Sequence, residues 1–313
     1  YWQTKDALLA LQVGLAANLI GGLIEILGGF AGPWIIKHVP QQALMGNMAS
    51  SALVWLSVVG MAMVFDRPIY GLLPLFIIII DYMGKADRRF SKIPSGVIAV
   101  LIGTIIAWSG GYLTLEELRV SFSEMGFYPP IPAVKDIVAG LKGILPFLPV
   151  IIPLQINNFL STLQGLEAAR AANDVYPERS SMIMDGISTL TGAFFGSPFP
   201  TTVYFGHPGW KALGARAGFC IVNAVLYLGV CTTGLTGVLM ALIPTEAVMV
   251  LLIFVGFSVA DSTFRVTDKK YYSVILLSMI PILFQYIQSM IGSAVQAAGS
   301  TMEALTAEQF AAY

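Results

Sequence analysis

Long apolar runs alternate along this chain with short polar or charged breaks, and several reach the roughly 18 to 20 residues that a bilayer-crossing helix needs. Their hydropathy predicts helical spans over 7–32, 43–65, 69–83, 93–110, 144–166, 180–196, 217–241, 244–262 and 271–292. Residues 197–213 break the pattern. Pro198, Pro200 and Pro208 fall among Gly206 and Gly209, and each proline removes a backbone donor and disfavours helix at the residue before it. Irregular backbone at membrane depth survives only where protein buries it or a cavity receives it. This segment therefore counts as a tenth, discontinuous span with a short extended stretch. Residues 111–143 are too polar to span and read as an interfacial linker, whereas 293–313, alanine-rich with Glu303 and Glu308, read as an amphipathic surface tail.

Composition agrees with the pattern. The 313 residues include only 17 Lys+Arg and 18 Asp+Glu, with 56% hydrophobic and 11% charged, and mean hydropathy is +0.77. A soluble domain carries about a quarter charged residues, so the chain is expected to be an all-α polytopic membrane protein and not a soluble enzyme. A formal net charge of −1 offers no footprint for nucleic acid. Cys220 and Cys231 are too far apart along one helix to bridge, and His38 and His207 lie in different segments, so no metal-ligand spacing emerges. The chain opens at Tyr1 without a leader or an initiating methionine, and is expected to be a fragment.

Alternating the ten spans sorts the cationic residues. Lys37, Lys85, Arg88, Arg89, Lys92, Arg170, Arg179, Lys211, Arg216, Arg265, Lys269 and Lys270 fall on one side; Lys5, Arg67, Arg119, Lys135 and Lys142 fall on the other, which also holds the acidic stretch with Glu116, Glu117, Glu124 and Asp136. The richer side is expected to be cytoplasmic and the membrane to be the inner or plasma membrane.

Polar groups inside a bilayer are costly and mark candidate sites. On the fifth span, at 100° per residue, Gln155, Asn157, Asn158, Ser161, Thr162, Gln164 and Gly165 fill one half of the helical wheel, and Ile156, Phe159, Leu160, Leu163 and Leu166 the other. The carboxamides offer both donors and acceptors, which suits a planar ligand with amide-like edges. Helix-to-helix hydrogen bonding explains the stripe equally well. The broken span favours a site, because half-helices and exposed backbone commonly build transporter pockets. Asn18 and Glu25 on the first span are expected to bond a neighbouring helix, and Asp185 to be a charge near a helix N-terminus. Asp81 and Asp261 sit at span ends. Glycines 21, 22, 28 and 29 are expected to permit close helix packing.

The run Gly196-Ser-Pro-Phe-Pro-Thr-Thr-Val-Tyr204, followed by Gly214-Ala-Arg-Ala-Gly218 and preceded by the polar stripe, resembles the nucleobase/ascorbate transporters, which include the xanthine, uracil and adenine/guanine/hypoxanthine permeases. That resemblance implies fourteen spans in two inverted repeats, with a substrate-carrying core domain moving against a gate domain. This chain would hold spans four to thirteen, with 7–32 and 144–241 in the core and 43–110 and 244–292 in the gate. Two copies would pair through the gate. The family's acidic substrate ligand on its eighth span falls at Gln155, and its second glutamate falls at Gly206 or His207, so neither carboxylate is present.

The expected function is secondary active transport of a purine- or pyrimidine-like heterocycle by alternating access, coupled to a proton or sodium ion and using no other cofactor. The expected contacts are Gln155, Asn157, Asn158, Thr162, Phe199, Thr201, Thr202, Tyr204, Gly206 and His207. The alternative is an anion carrier or channel of sulfate or bicarbonate type, which shares the inverted-repeat architecture. A membrane-embedded enzyme would need a nucleophile and base or metal ligands, and none is suitably spaced.

Overall fold

The computed structural model describes residues 6–84, 95–212 and 214–298, and the described residues contain helices, turns and extended stretches but no strand. Lys5, the cluster Lys85, Arg88, Arg89 and Lys92, and the tail with Glu303 and Glu308 lie outside them. Five helices are long and apolar enough to cross a membrane, six if one bent pair counts as a single span. The chain is a multi-pass membrane protein.

Helix α1 (Ala7–His38) begins at Asp6, whose side chain accepts from the Leu8 and Leu9 amides, and ends with Lys37 and His38 in its last turn, where the His38 ring meets the Trp34 carbonyl. It runs one and a half turns past its expected end at residue 32, carrying Pro33 within it. Helix α2 (Gln41–Ser51) continues through a π-helical stretch (Ala52–Val58) into α3 (Val59–Asp66). The widened turns lie where α13 (Thr245–Val266) presses Gly256 against the Ala52 carbonyl and the Ser57 hydroxyl, a place with no room for a Cβ. Helices α4 (Pro68–Gly84) and α5 (Ser95–Ser109) complete this side.

The linker folds into two short helices, α6 (Leu115–Ser123) and α7 (Val134–Gly143). Helix α6 buries nothing, as its charge leads one to expect, but α7 seats Ile137 and Gly140 against α1. Helix α8 (Leu148–Ala171) carries the polar stripe, and α9 (Glu178–Phe194) returns antiparallel to α1. No helix forms from Gly196 to Gly206; six residues of α10 (His207–Ala212) follow. The expected single span over 217–241 is instead two helices, α11 (Gly218–Thr232) and α12 (Leu235–Leu242), bent by 99° at Gly234, whose φ of +71° suits a residue without a side chain. Helix α14 (Tyr272–Ala297) is longer than the span expected over 271–292 and remains helical into the stretch expected to be a surface tail.

Helices α1, α7, α8 and α9 pack together, and α2 to α5 pack with α13; α14 lies along α2. A buried cluster of Met45, Met48, Ala52, Ala168, Val255 and Val259 joins α8 to α2 and α13. Close packing of α1 against α8 and α9 follows from its glycines. Gly21 faces Gln155, Gly28 faces the Phe159 ring, and Gly22 crosses Gly186 so tightly that a Cβ on either would press on the other's carbonyl oxygen.

Candidate functional site

The polar stripe of α8 faces α1, α9 and the extended segment. Much of its apolar half is buried as well, with Phe159, Leu163 and Leu166 packed on Met182, Ile24 and Val203, while Ile156 stays exposed. Gln155 Nε2 donates to the Ala17 carbonyl at 3.1 Å, and Asn158 Nδ2 donates both to the Glu25 carboxylate and to the Thr201 carbonyl, the latter at 3.1 Å. Thr162 donates to Asp185 Oδ2 at 2.6 Å and meets the Thr202 hydroxyl at 3.1 Å.

The extended segment is extended because its prolines forbid helix, and it stays in place because side chains from three helices take up its backbone groups. Asn18 of α1 donates to the Ser197 and Phe199 carbonyls at 2.9 and 3.0 Å. The Thr201 amide donates to the Thr189 hydroxyl of α9 at 3.0 Å, and its carbonyl accepts from Asn158 of α8. Gly165 lets the Val203 carbonyl lie directly on α8. Irregular backbone is thus satisfied internally, as burial in a membrane requires.

Between α8 and this segment lies a cleft with a cavity volume of about 330 Å³, lined by Gly14, Ala17, Ile151, Leu154, Gln155, Asn157, Asn158, Ser161, Pro198 and Pro200. None of these ten residues is charged. Beneath the cleft, Glu25 is fully buried and accepts from Asn158 and from Thr189, and Asp185 is buried and accepts from Thr162 and from Thr201.

At the far end of the segment, His207 Nε2 lies 2.7 Å from Asp174 Oδ2, and Lys211 Nζ lies 2.8 Å from Asp174 Oδ1. Hydrogen bonds from Lys211 and then His207 hold the Asp174 carboxyl below the usual carboxylate range. The cluster fastens α10 to the turn between α8 and α9.

The fold is shared with a solved transporter domain. The transmembrane domain of a cyanobacterium bicarbonate transporter, BicA, matches with a TM-score of 0.55 at 19% identity, over 88% of this chain and 76% of that one. No protein-family profile matches the sequence, and neither does any curated protein. At this identity the likeness establishes the fold, and the nucleobase-transporter resemblance remains an expectation from sequence.

Of the ten residues expected to bind, the structure brings Gln155, Asn157 and Asn158 to the cleft, where Ser161 joins them. Thr162 and Thr201 bond Asp185, and the Thr202 hydroxyl meets that of Thr162; none of the three lines the cleft. Phe199 projects outward, 76% exposed. Tyr204 accepts from Trp210, Gly206 lies against the Tyr204 ring, and His207 is held by Asp174, so none of these four lines the cleft. Asp185 corrects the sequence reading: it sits two turns inside α9, buried under the extended segment, and does not act as an N-terminal charge. Asn18 departs from its expected role as well: it bonds the extended backbone and not a neighbouring helix. The signal for Glu25 was present, since a carboxylate in the middle of an apolar span is unusual.

Proposed function

We propose that this chain is the transport part of a secondary carrier working by alternating access, and that it holds a small planar heterocycle of nucleobase type in the cleft between α8 and the extended segment. The observation that carries this reading is the uncharged cleft in which the Asn157 and Asn158 carboxamides and the Ser161 hydroxyl lie side by side, next to Gln155, against Pro198 and Pro200. The volume of about 330 Å³ lies at the small end of ligand pockets. In this reading α1, α8, α9 and the extended segment form the core, and α2 to α5, α13 and α14 form the gate.

A second reading, carriage of a small inorganic anion, is favoured by the fold shared with the bicarbonate transporter domain. Carboxamide N–H groups and backbone amides would serve as donors. The uncharged lining and the two carboxylates beneath it weigh against this reading. Uptake of radiolabelled uracil, xanthine and hypoxanthine by cells lacking their own carriers, competed with bicarbonate and sulfate, separates the two. Saturable heterocycle uptake untouched by the anions supports the first reading. Anion uptake with no heterocycle competition replaces it with the second.

A further inference from the structure

The second half of α1 carries an exposed stripe. Leu23, Leu27, Phe30, Trp34 and Lys37 recur at alternating spacings of four and three residues, which keeps them on one side of a helix. The first four are 47 to 69% exposed, and Lys37 is exposed too. At 1.5 Å per residue the rise from Leu23 to Lys37 is about 21 Å. Half the thickness of a bilayer, headgroups included, is about 20 to 22 Å. The stripe therefore has the length of one phospholipid standing in one leaflet.

Depth and charge agree with that length. Near the other end of α1, Gln12 donates to Asp136 of the polar linker helix α7 at 3.0 Å. Counted along α1 from Gln12, Phe30 lies about 27 Å away, near the far limit of a hydrocarbon layer about 30 Å thick, and Trp34 and Lys37 lie about 33 and 38 Å away, beyond it. Trp34 is thus at headgroup level, where tryptophan is enriched. Its ring stacks on His38 with 4.6 Å between centroids, and its indole N–H has no acceptor among the described residues. Two cations bracket it. The Arg179 guanidinium of α9 lies 4.2 Å from the Phe30 ring centroid, and Lys37 is one turn beyond Trp34. Neither has a carboxylate partner among the described residues, whereas Arg170 is taken by Glu167 and Glu178, Lys211 by Asp174, and Arg265 by Asp261. The carboxylate next to Arg179 in sequence, Glu178, is therefore already matched.

We propose that this face of α1, together with Arg179, binds one anionic phospholipid, with its acyl chains along Leu23 and Leu27, its ester region at Phe30 and Trp34, and its phosphate held by Arg179 and Lys37. The apolar run selects a lipid over a free anion. Two unmatched cations at headgroup depth select an anionic headgroup over a zwitterionic one, which would bring a positive charge of its own. A second copy of this chain is a poorer occupant, because pairing the same face about an axis along the membrane normal sets each cation against its own counterpart. Lipid binding here needs no solute and stands apart from the transport reading.

The test uses the purified chain in an uncharged detergent with no solute. Thermal melting is followed as dioleoylphosphatidylglycerol, dioleoylphosphatidylcholine or inorganic phosphate is added, and retained lipid is counted by native mass spectrometry. The parent should show a saturable rise in melting temperature and a retained lipid molecule with the phosphatidylglycerol alone. Lys37→Gln and Arg179→Gln should each raise the half-saturating phosphatidylglycerol concentration about fivefold. Both positions are exposed, so both variants should melt like the parent without lipid. Lys269→Gln makes the same change of charge at an exposed position between α13 and α14 and should bind as the parent does. Equal stabilisation by the two lipids, equal stabilisation by inorganic phosphate, or the same result for Lys269→Gln as for the other two variants overturns the site. Oxidative cross-linking of Leu27→Cys chains to one another, in a background of Cys220→Ser and Cys231→Ser, would put a second copy on this face and overturn it as well.

Discussion

Gly165→Ala tests whether the extended segment is seated on α8. A Cβ at residue 165 would lie 2.4 Å from the Val203 carbonyl oxygen and 3.0 Å from its carbon, where ordinary contact begins at 3.4 Å. The obstacle is backbone, so no side chain can swing aside, and the segment must retreat by about 1 Å to reach ordinary contact. That retreat carries the Asn158-to-Thr201 hydrogen bond from 3.1 Å to about 4 Å, outside bonding range, and strains the Thr162–Thr202 contact in the same way. Overpacking costs about 1 to 3 kcal/mol and the lost bond about 1 kcal/mol more, for a total near 2 to 4 kcal/mol. The expected result is folded protein that melts several degrees lower and takes up solute with weakened affinity. Gly229→Ala is the control, since nothing lies within 4 Å of that position on α11, and alanine there should be neutral or slightly stabilising. Both variants are compared with the parent by thermal denaturation and by uptake at equal surface expression. If Gly165→Ala and Gly229→Ala both melt within a degree of the parent, Val203 does not rest on α8 and the cleft is wrongly drawn.

Three further outcomes follow from the same geometry. Gln155→Leu removes the polar edge from the cleft and its bond to the Ala17 carbonyl; loss of about 1 to 3 kcal/mol predicts affinity roughly 5- to 150-fold weaker, measured as the half-saturation concentration for uptake. Asp174 has its carboxyl held below the usual range, so its ionised form is favoured by folding; the stability it adds is complete above about pH 4 and disappears as pH falls through the lowered value. Melting curves from pH 6 to pH 3 should therefore fall less steeply for Asp174→Asn than for the parent. Tyr112→Phe strips Glu246 of the hydroxyl that donates to Oε1, and Oε2 already lacks a partner, so a loss of about 1 to 3 kcal/mol is expected in denaturation, while solute affinity stays unchanged.

What the sequence made legible is local. The 3.6-residue period separated the two faces of α8 because both faces lie on one helix, and the prolines of 198–208 marked the unwound segment because they act on their immediate neighbours. Glu25 and Asp185 were read singly, as ordinary helix charges, since 160 residues separate them and only the packing of α1 on α9 joins them through Thr189 and Thr201. The bend at Gly234 was hidden inside an unbroken apolar run. His207 was placed in the site because its segment was, but its orientation toward Asp174 depends on where the turn after α8 passes, and no periodicity carries that.

Helix α10 has a place in the fold that bears on speed more than on recognition. It touches α8 on one side and α13 on the other, and Asp174 ties it to the α8–α9 turn through His207 and Lys211. Any sliding of one helical group past the other must therefore shear or roll this six-residue peg, with the tether determining which group it accompanies. Weakening the tether should change how often the carrier turns over while leaving the grip of the cleft intact, so that the maximal rate and the half-saturation point are governed at opposite ends of the same unwound strand.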